Sequence, residues 1–213
     1  MKTILLTGFE PFGGESINPS WELARALDGE LIAGARVVAE RLPCVFGEAN
    51  TAMKLALRGH QPVLVLALGQ AGGRAELSLE RVAINVIDAR IADNAGRQPI
   101  DEPVLPGAPA AYFSTLPIKA MVAGLREAGV PAGISQSAGT FVCNEVFFGL
   151  QHQLQGSAVR SGFMHIPWLP EQAVNFPAQA SMALATMVQG ARLALHLALL
   201  TGADLRQTGG SIS

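Results

Sequence analysis

Pro62-Val63-Leu64-Val65-Leu66-Ala67-Leu68 is an unbroken apolar run, and Gly69 closes it. Its length and Val/Leu content predict a strand, and the lack of polar alternation predicts burial on both faces. A strand covered on both faces requires helices above and below a largely parallel sheet. Toward the N-terminus, Thr3–Thr7 reads as a first buried strand, Pro19–Leu27 as a helix through Trp21, Leu23, Ala24 and Leu27, Arg36–Leu42 as a second strand and Gly47–Arg58 as a helix. Toward the C-terminus, helices at Ile118–Ala128 and Cys143–Leu154 flank a short strand at Gly133–Ser135. Gly162–Ile166 is an apolar strand stopped by Pro167, and Ala178–Leu200 is a core helix. The pattern predicts an α/β fold: a three-layer α/β/α sandwich around a mostly parallel, twisted sheet. No repeat or linker divides the chain, so a single domain over residues 1–213 is expected.

With 15 basic against 17 acidic residues among 213, the formal charge is -2. No Lys/Arg cluster is present to track a phosphate backbone, which excludes nucleic acid as a partner. The apolar C-terminal region is broken by Gln179, Ser181, Gln189, Arg192 and His196 and falls short of an uncharged membrane span. The N-terminal apolar stretch is too short for a secretory signal. The two cysteines, Cys44 and Cys143, cannot build a disulfide framework, which places the chain in a reducing, cytoplasmic setting and directs interest to each thiol separately.

Two strands end in glycine-rich turns, Gly8-Phe9-Glu10-Pro11-Phe12-Gly13-Gly14 and Gly69-Gln70-Ala71-Gly72-Gly73-Arg74. Ligands of α/β sheets bind at the carboxyl ends of strands, where both turns lie. Neither is a phosphate loop: Gly14 and Glu15 stand where a Walker turn needs Lys and Ser or Thr, and the second turn lacks the dinucleotide pattern. Phe9 and Phe12, beside Pro11, suit a flat apolar ligand better than an anion. From Gly69 to Gly107 the pattern is polar and rich in Gly and Pro around one strand at about Leu79–Ile87, and an excursion of this length is expected to carry function.

Cys143 lies where helical periodicity begins, with Val142, Val146 and Leu150 recurring at four-residue spacing. Thr140 as N-cap would put Cys143 in the first turn, where free N–H groups and the helix dipole favour a thiolate. The alternative is a small buried hydrophobe, which is the reading for Cys44. A thiol nucleophile needs an imidazole. His152, nine residues along the same helix, is rotated by about 900° and raised by about 13.5 Å and faces away. His60 precedes the Pro62–Leu68 strand at the edge opposite Gly69, and His196 lies within the last helix. His165, near the end of its strand, remains. For the group that orients it, Glu80 shares strand parity with Val82, Ile84 and Val86, which puts an acid in line with an apolar face. Asp88, Asp93 and Asp101 compete with it.

Six blocks, in order along nearly the whole chain, resemble the pyroglutamyl peptidase I (pyrrolidone-carboxylate peptidase) family. They are Gly8–Gly13 with Asn18-Pro19-Ser20, Leu68–Arg74, Glu80–Asn85, Asp88–Asn94, Ser137–Asn144 and His165-Ile166-Pro167. The resemblance implies a cysteine exopeptidase that removes an N-terminal pyroglutamyl residue through an acyl-enzyme, with Cys143, His165 and Glu80 as a triad and no metal or cofactor. It implies that Phe9 and Phe12 border the pyroglutamyl ring, that backbone groups near Gln70 bond its lactam, that Ile91, Phe141 and Val142 complete an apolar wall, and that Arg90 lies near the oxyanion. Peptides with N-terminal pyroglutamate are the implied partners, and dimers or tetramers the implied assembly. Phe148 stands where many relatives are expected to carry Tyr. Two rivals remain: a nucleoside phosphorylase, which lacks its cation in both glycine loops, and a silent binding protein of the same fold.

Overall fold

The chain is described here from a computed structural model covering residues 1–209; the last four residues of the expected 1–213 domain lie outside the described residues. The strands are β1 (Lys2–Phe9), β2 (Leu31–Ile32), β3 (Ala35–Leu42), β4 (Leu64–Gln70), β5 (Leu77–Glu80), β6 (Val82–Ile84), β7 (Ala111–Phe113), β8 (Ala132–Ser135) and β9 (Arg160–Ile166). The helices are α1 (Pro19–Leu27), α2 (Glu48–His60), α3 (Ile118–Glu127), α4 (Val142–Gln153), α5 (Pro170–Ala173) and α6 (Leu184–Leu200).

The described residues form a seven-stranded sheet in the order β2-β3-β1-β4-β9-β5-β8, and β6 and β7 pair separately. Strands β3, β1, β4 and β9 run parallel, whereas β5 runs antiparallel to β9 and parallel to β8. The apolar run that predicts the fold becomes β4, whose register pairs Leu64–Gln70 with Arg160–Ile166 of β9. It is buried throughout except at Gln70, as a central strand covered on both faces must be.

Alternation along the strands sorts the two cores. Ile4, Leu6, Leu64, Leu66, Leu68, Leu77, Leu79, Met164 and Ile166 pack against α1, α3 and α6. Leu5, Val65, Ala67, Phe9 and Phe163 pack on the other side against α2 and α4. The result is the expected three-layer sandwich, with Cys143 packed on the α2/α4 side.

Two expected elements change. The strand expected over Leu79–Ile87 divides at Arg81: β5 belongs to the main sheet, and β6 pairs with β7. Arg81 marks the departure, since its N–H donates to Ser135 O while Ser114 N–H donates to its carbonyl. Glu80 therefore shares no strand face with Val82 and Ile84. The final helix starts at Leu184, not near Ala178, because Trp168 O accepts from Met182 N–H and a bridge joins Trp168 to Ser181, which holds the preceding segment extended.

Candidate active site

Four side chains of the α2/α4 face converge near the carboxyl end of β4. In the β4/β9 register Gly69 lies opposite His165, and in a parallel pair opposite residues share a face. Gly69 has no side chain to fill that face. A Cβ built there would stand 2.8 Å from Cys143 Sγ and 2.8 Å from the Phe163 ring, so only glycine lets the thiol settle on the strand. The bare position gathers the thiol from α4 and the imidazole from β9 around one point. Phe163 packs beneath the imidazole with ring centroids 4.9 Å apart.

The carboxylate arrives from the reversed strand. With Leu77 and Leu79 in the opposite core, Ser78 and Glu80 face α4, and Ser78 lies opposite His165. His165 Nδ1 donates to Glu80 Oε1 at 2.7 Å. A carboxylate can only accept, so Nδ1 bears the hydrogen and Nε2 is left as the basic nitrogen. Glu80 is fully buried, and the same Oε1 also accepts from Arg74 Nη1 at 2.8 Å. Asp88, Asp93 and Asp101 do not compete. Asp93 is spent on the N–H groups of Phe46, Ala95 and Arg97, while Asp88 and Asp101 are exposed.

The start of α4 differs from expectation. Phe141, not Thr140, is its N-cap, and no side chain caps it. Thr140 is occupied elsewhere: its Oγ1 donates to Asp88 O, and Asp88 N–H donates to Thr140 O. This reciprocal clip fastens the turn before α4 to the loop that carries Arg90 and Ile91. Cys143 is consequently the second residue of the helix, as a nucleophile at a helix start would require. Its surroundings nonetheless push the thiol well above its ordinary range. Burial is the main cause, with Cys44 and Glu80 adding to it and Arg74 and the backbone N–H of Cys143 opposing it. The helix start thus does not produce a resting thiolate. Cys44, raised to about 12 by burial and by Glu10 and Asp93, is inert, as expected of a buried thiol.

The aromatic wall forms in part where it is expected. Phe12 and Phe141 are partly buried with ring centroids 6.1 Å apart, and Phe141 meets Phe46 edge-on at 5.2 Å. Phe9 and Val142 are buried behind them in the core. Gln70 Oε1 accepts from Gln172 Nε2 at 3.2 Å, and the same amide lies 3.4 Å from Glu15 Oε2, which ties the two glycine loops together. Arg90 is exposed and Ile91 is 45% exposed, so neither is gathered with the other side chains. His60 pairs with Glu40, His152 shares a hydrogen bond with the Tyr112 hydroxyl, and His196 is exposed on α6. Phe148 is buried against Tyr112, with ring centroids 4.9 Å apart.

A family model described as pyroglutamyl peptidase matches residues 2–200. The chain belongs to the pyroglutamyl peptidase family. It is similar to the pyrrolidone-carboxylate peptidase of Cupriavidus taiwanensis, 61% identical with both chains covered in full, and to that of Erwinia tasmaniensis, 59% identical over 99% of each. Among solved structures it is similar to pyroglutamyl peptidase I from Bacillus amyloliquefaciens, with a TM-score of 0.94 and 42% identity over 97% of this chain and 99% of that one. The pyrrolidone carboxyl peptidase from Thermococcus litoralis gives a TM-score of 0.94 and 40% identity over 98% and 100%. As a pyroglutamyl peptidase family member the chain is a cysteine-type hydrolase with the α/β fold of those structures. Among the described residues no helix is long and apolar enough to cross a membrane.

Three residues of the site were missed by sequence reasoning. Arg74 ends the second glycine turn, yet its partner depends on how that turn folds back. Gln172 sits in a short helix with no periodic signal. Asn144 follows Cys143 and is fully buried; its Oδ1 accepts from Ile84 N–H, and its Nδ2 donates to the carbonyls of Ile84 and Val86. An Asn in the first turn of an apolar helix was the available signal.

Proposed function

We propose that this peptidase hydrolyses the amide bond after an N-terminal pyroglutamyl residue, using Cys143 as nucleophile, His165 as acid and base, and Glu80 to orient the imidazole. The observation that carries this is the convergence on Gly69. The thiol lies over the bare strand position paired with His165, whose Nδ1 is held by Glu80 so that Nε2 is the free base.

Because burial keeps the thiol protonated at rest, His165 Nε2 takes its proton as Sγ attacks the pyroglutamyl carbonyl carbon. The C=O electron pair moves to oxygen, and N–H groups at the start of α4, that of Cys143 among them, receive the oxyanion. The imidazolium then donates its proton to the leaving amine as the C–N bond breaks, leaving a thioester. Water gives a proton to His165 and attacks the thioester; the C–S bond breaks and the proton returns to sulfur. Glu80 stabilises each imidazolium.

The ring pocket lies between Phe12 and Phe141, backed from the core by Phe9 and Val142, with backbone groups near Gln70 bonding the lactam; Arg90 and Ile91 stand exposed outside this group. The lactam is neutral, whereas a free α-ammonium would lose hydration there with no carboxylate partner, at a cost of several kcal/mol. Cys44 and Cys143 are both free thiols, which suits a cytoplasmic enzyme. Contrary to the expectation that neither glycine loop carries a cation, the second ends in Arg74, but that guanidinium is already paired with Glu80, which disfavours a phosphorylase.

A fluorogenic pyroglutamyl amide should be hydrolysed by the wild type and not by Cys143→Ala, and the free-amine Gln analogue by neither. Undiminished turnover by Cys143→Ala would sink the reading.

A further inference from the structure

We propose that Arg74 is a positioning residue of this site: its guanidinium fixes the Glu80 carboxylate and takes up part of its charge, and so sets how strongly Glu80 holds the His165 imidazolium. The proposal rests on the triad reading above. Three observations meet in it. Glu80 is buried with no route for its charge to water, and one oxygen, Oε1, receives both Arg74 Nη1 at 2.8 Å and His165 Nδ1 at 2.7 Å. The other oxygen, Oε2, is buried and has no hydrogen-bond partner among the described residues. The carboxylate is therefore held by that single bifurcated oxygen. Without the guanidinium it would be tethered only through the imidazole it is supposed to orient.

The loop is built to hold the arginine. Gly72 packs so tightly on the Trp168 indole that a Cβ would come within 2.3 Å of the ring, and Ala71 N–H donates to Ile166 O, one residue from His165. The turn carrying Arg74 is thus pinned to the strand carrying His165. Arg74 is 31% exposed and lines an open groove with Glu76, Ser78, Ser135 and Ser137, so its remaining donors stay in water while Nη1 reaches inward. An arginine can do this because its fork stays charged and shares its donors between a buried and a solvated side.

Two effects follow from charge sharing. A carboxylate divided between two cationic donors binds each less strongly than it would bind one. In catalysis this keeps the imidazolium acidic enough to protonate the leaving amine while its orientation stays fixed. The charged or titratable groups facing the pair are Arg74 from the loop after β4, Glu80 from β5 and the Cys143 thiol from α4, with Cys44 behind the thiol and Glu76 beside Arg74 in the open groove.

The test is the pH profile of kcat/KM on a fluorogenic pyroglutamyl amide for the wild type, Arg74→Met and Arg74→Lys, with thermal melts as a check on folding. Removing the cation leaves the whole Glu80 charge to the imidazolium. Arg74→Met should move the acidic limb to higher pH by about one unit and lower kcat about tenfold with KM within about twofold. Arg74→Lys should keep the wild-type limb within about 0.3 units. An unmoved limb in a folded Arg74→Met enzyme, or a loss confined to KM, overturns the proposal. If Arg74→Met does not fold, Arg74→Gln carries the same expectation and the same refutation. Glu80→Gln and His165→Ala run alongside separate the two readings. If both stay fully active, the triad fails; if both are impaired while Arg74→Met behaves as wild type, only the role of Arg74 fails.

Discussion

Glu80 and Glu145 are both buried carboxylates near the first turn of α4, and each leaves one oxygen, Oε2, without a hydrogen-bond partner among the described residues. Their surroundings differ in kind. Glu80 receives a guanidinium and an imidazole on one oxygen, whereas Glu145 receives the backbone N–H of Gly47 at 2.8 Å and no direct cation. Burial pushes Glu145 up to about 7, against the pull of Gly47 N–H, Arg97 and Asn50. Burial alone therefore does not make a carboxylate functional. The donors that meet it decide whether it organises a reaction or sits at the edge of protonation as a strut between α2 and α4.

The largest break in this contrast should come from Glu80→Gln. The amide keeps the shape but loses the charge that Arg74 and His165 share, and kcat should fall about 10²-fold in single-turnover or steady-state assays. A loss of less than about threefold would make Glu80 as structural as Glu145. Asn144 precedes Glu145 in α4 and is tied to the segment that follows Glu80 by its bonds to the backbone of Ile84 and Val86. Asn144→Ala leaves three part-buried backbone groups without their side-chain partner, so stability should fall by about 2 kcal/mol in denaturant titrations and kcat about tenfold, because the neighbouring Cys143 loses its anchorage.

The smallest effect on turnover is expected from Glu145→Gln, which should leave kcat/KM within about threefold. Its effect is on stability, and the sign is fixed by the raised folded value. Below about pH 4.5 the carboxyl is protonated folded or unfolded. As pH rises toward 7 the unfolded chain ionises first, and the folded state loses up to about 3 kcal/mol. Glu145→Gln removes that loss. It should melt with the wild type near pH 4.5 and several degrees above it at pH 8. Equal melting temperatures at pH 8 would show that Glu145 is better partnered than its contacts suggest.

The strands and helices most clearly predicted were those whose residues answer to burial alone. The run ending at Leu68 became β4, and α1 spans Pro19–Leu27 as its periodicity predicts, with Asn18 capping Ser20 N–H. Cys143 and His165, which come together at Gly69, were also singled out in the sequence, one from the onset of periodicity and one by exclusion. Glu80 was singled out on a parity with Val82 and Ile84 that the division at Arg81 removes; its burial comes from β5 lying between β9 and β8. That reversal of direction was invisible because four buried residues read alike in either direction. Arg74 and Gln172 could not be read at all, since each acts by a turn folding back onto a residue outside its own element.

The position of β9 has a consequence for the order of events on the ribosome. Residues 160–166 fill the gap between β4 and β5, so every other strand of the main sheet is synthesised before the one that joins its two parts. Until β9 is seated the thiol has no imidazole beside it and the acid has no orienting task. Under the proposed triad, a nascent chain bearing Cys143 is therefore silent toward the peptides around it until β9 joins the sheet. On that proposal, activity reports that the two parts of the sheet have been joined.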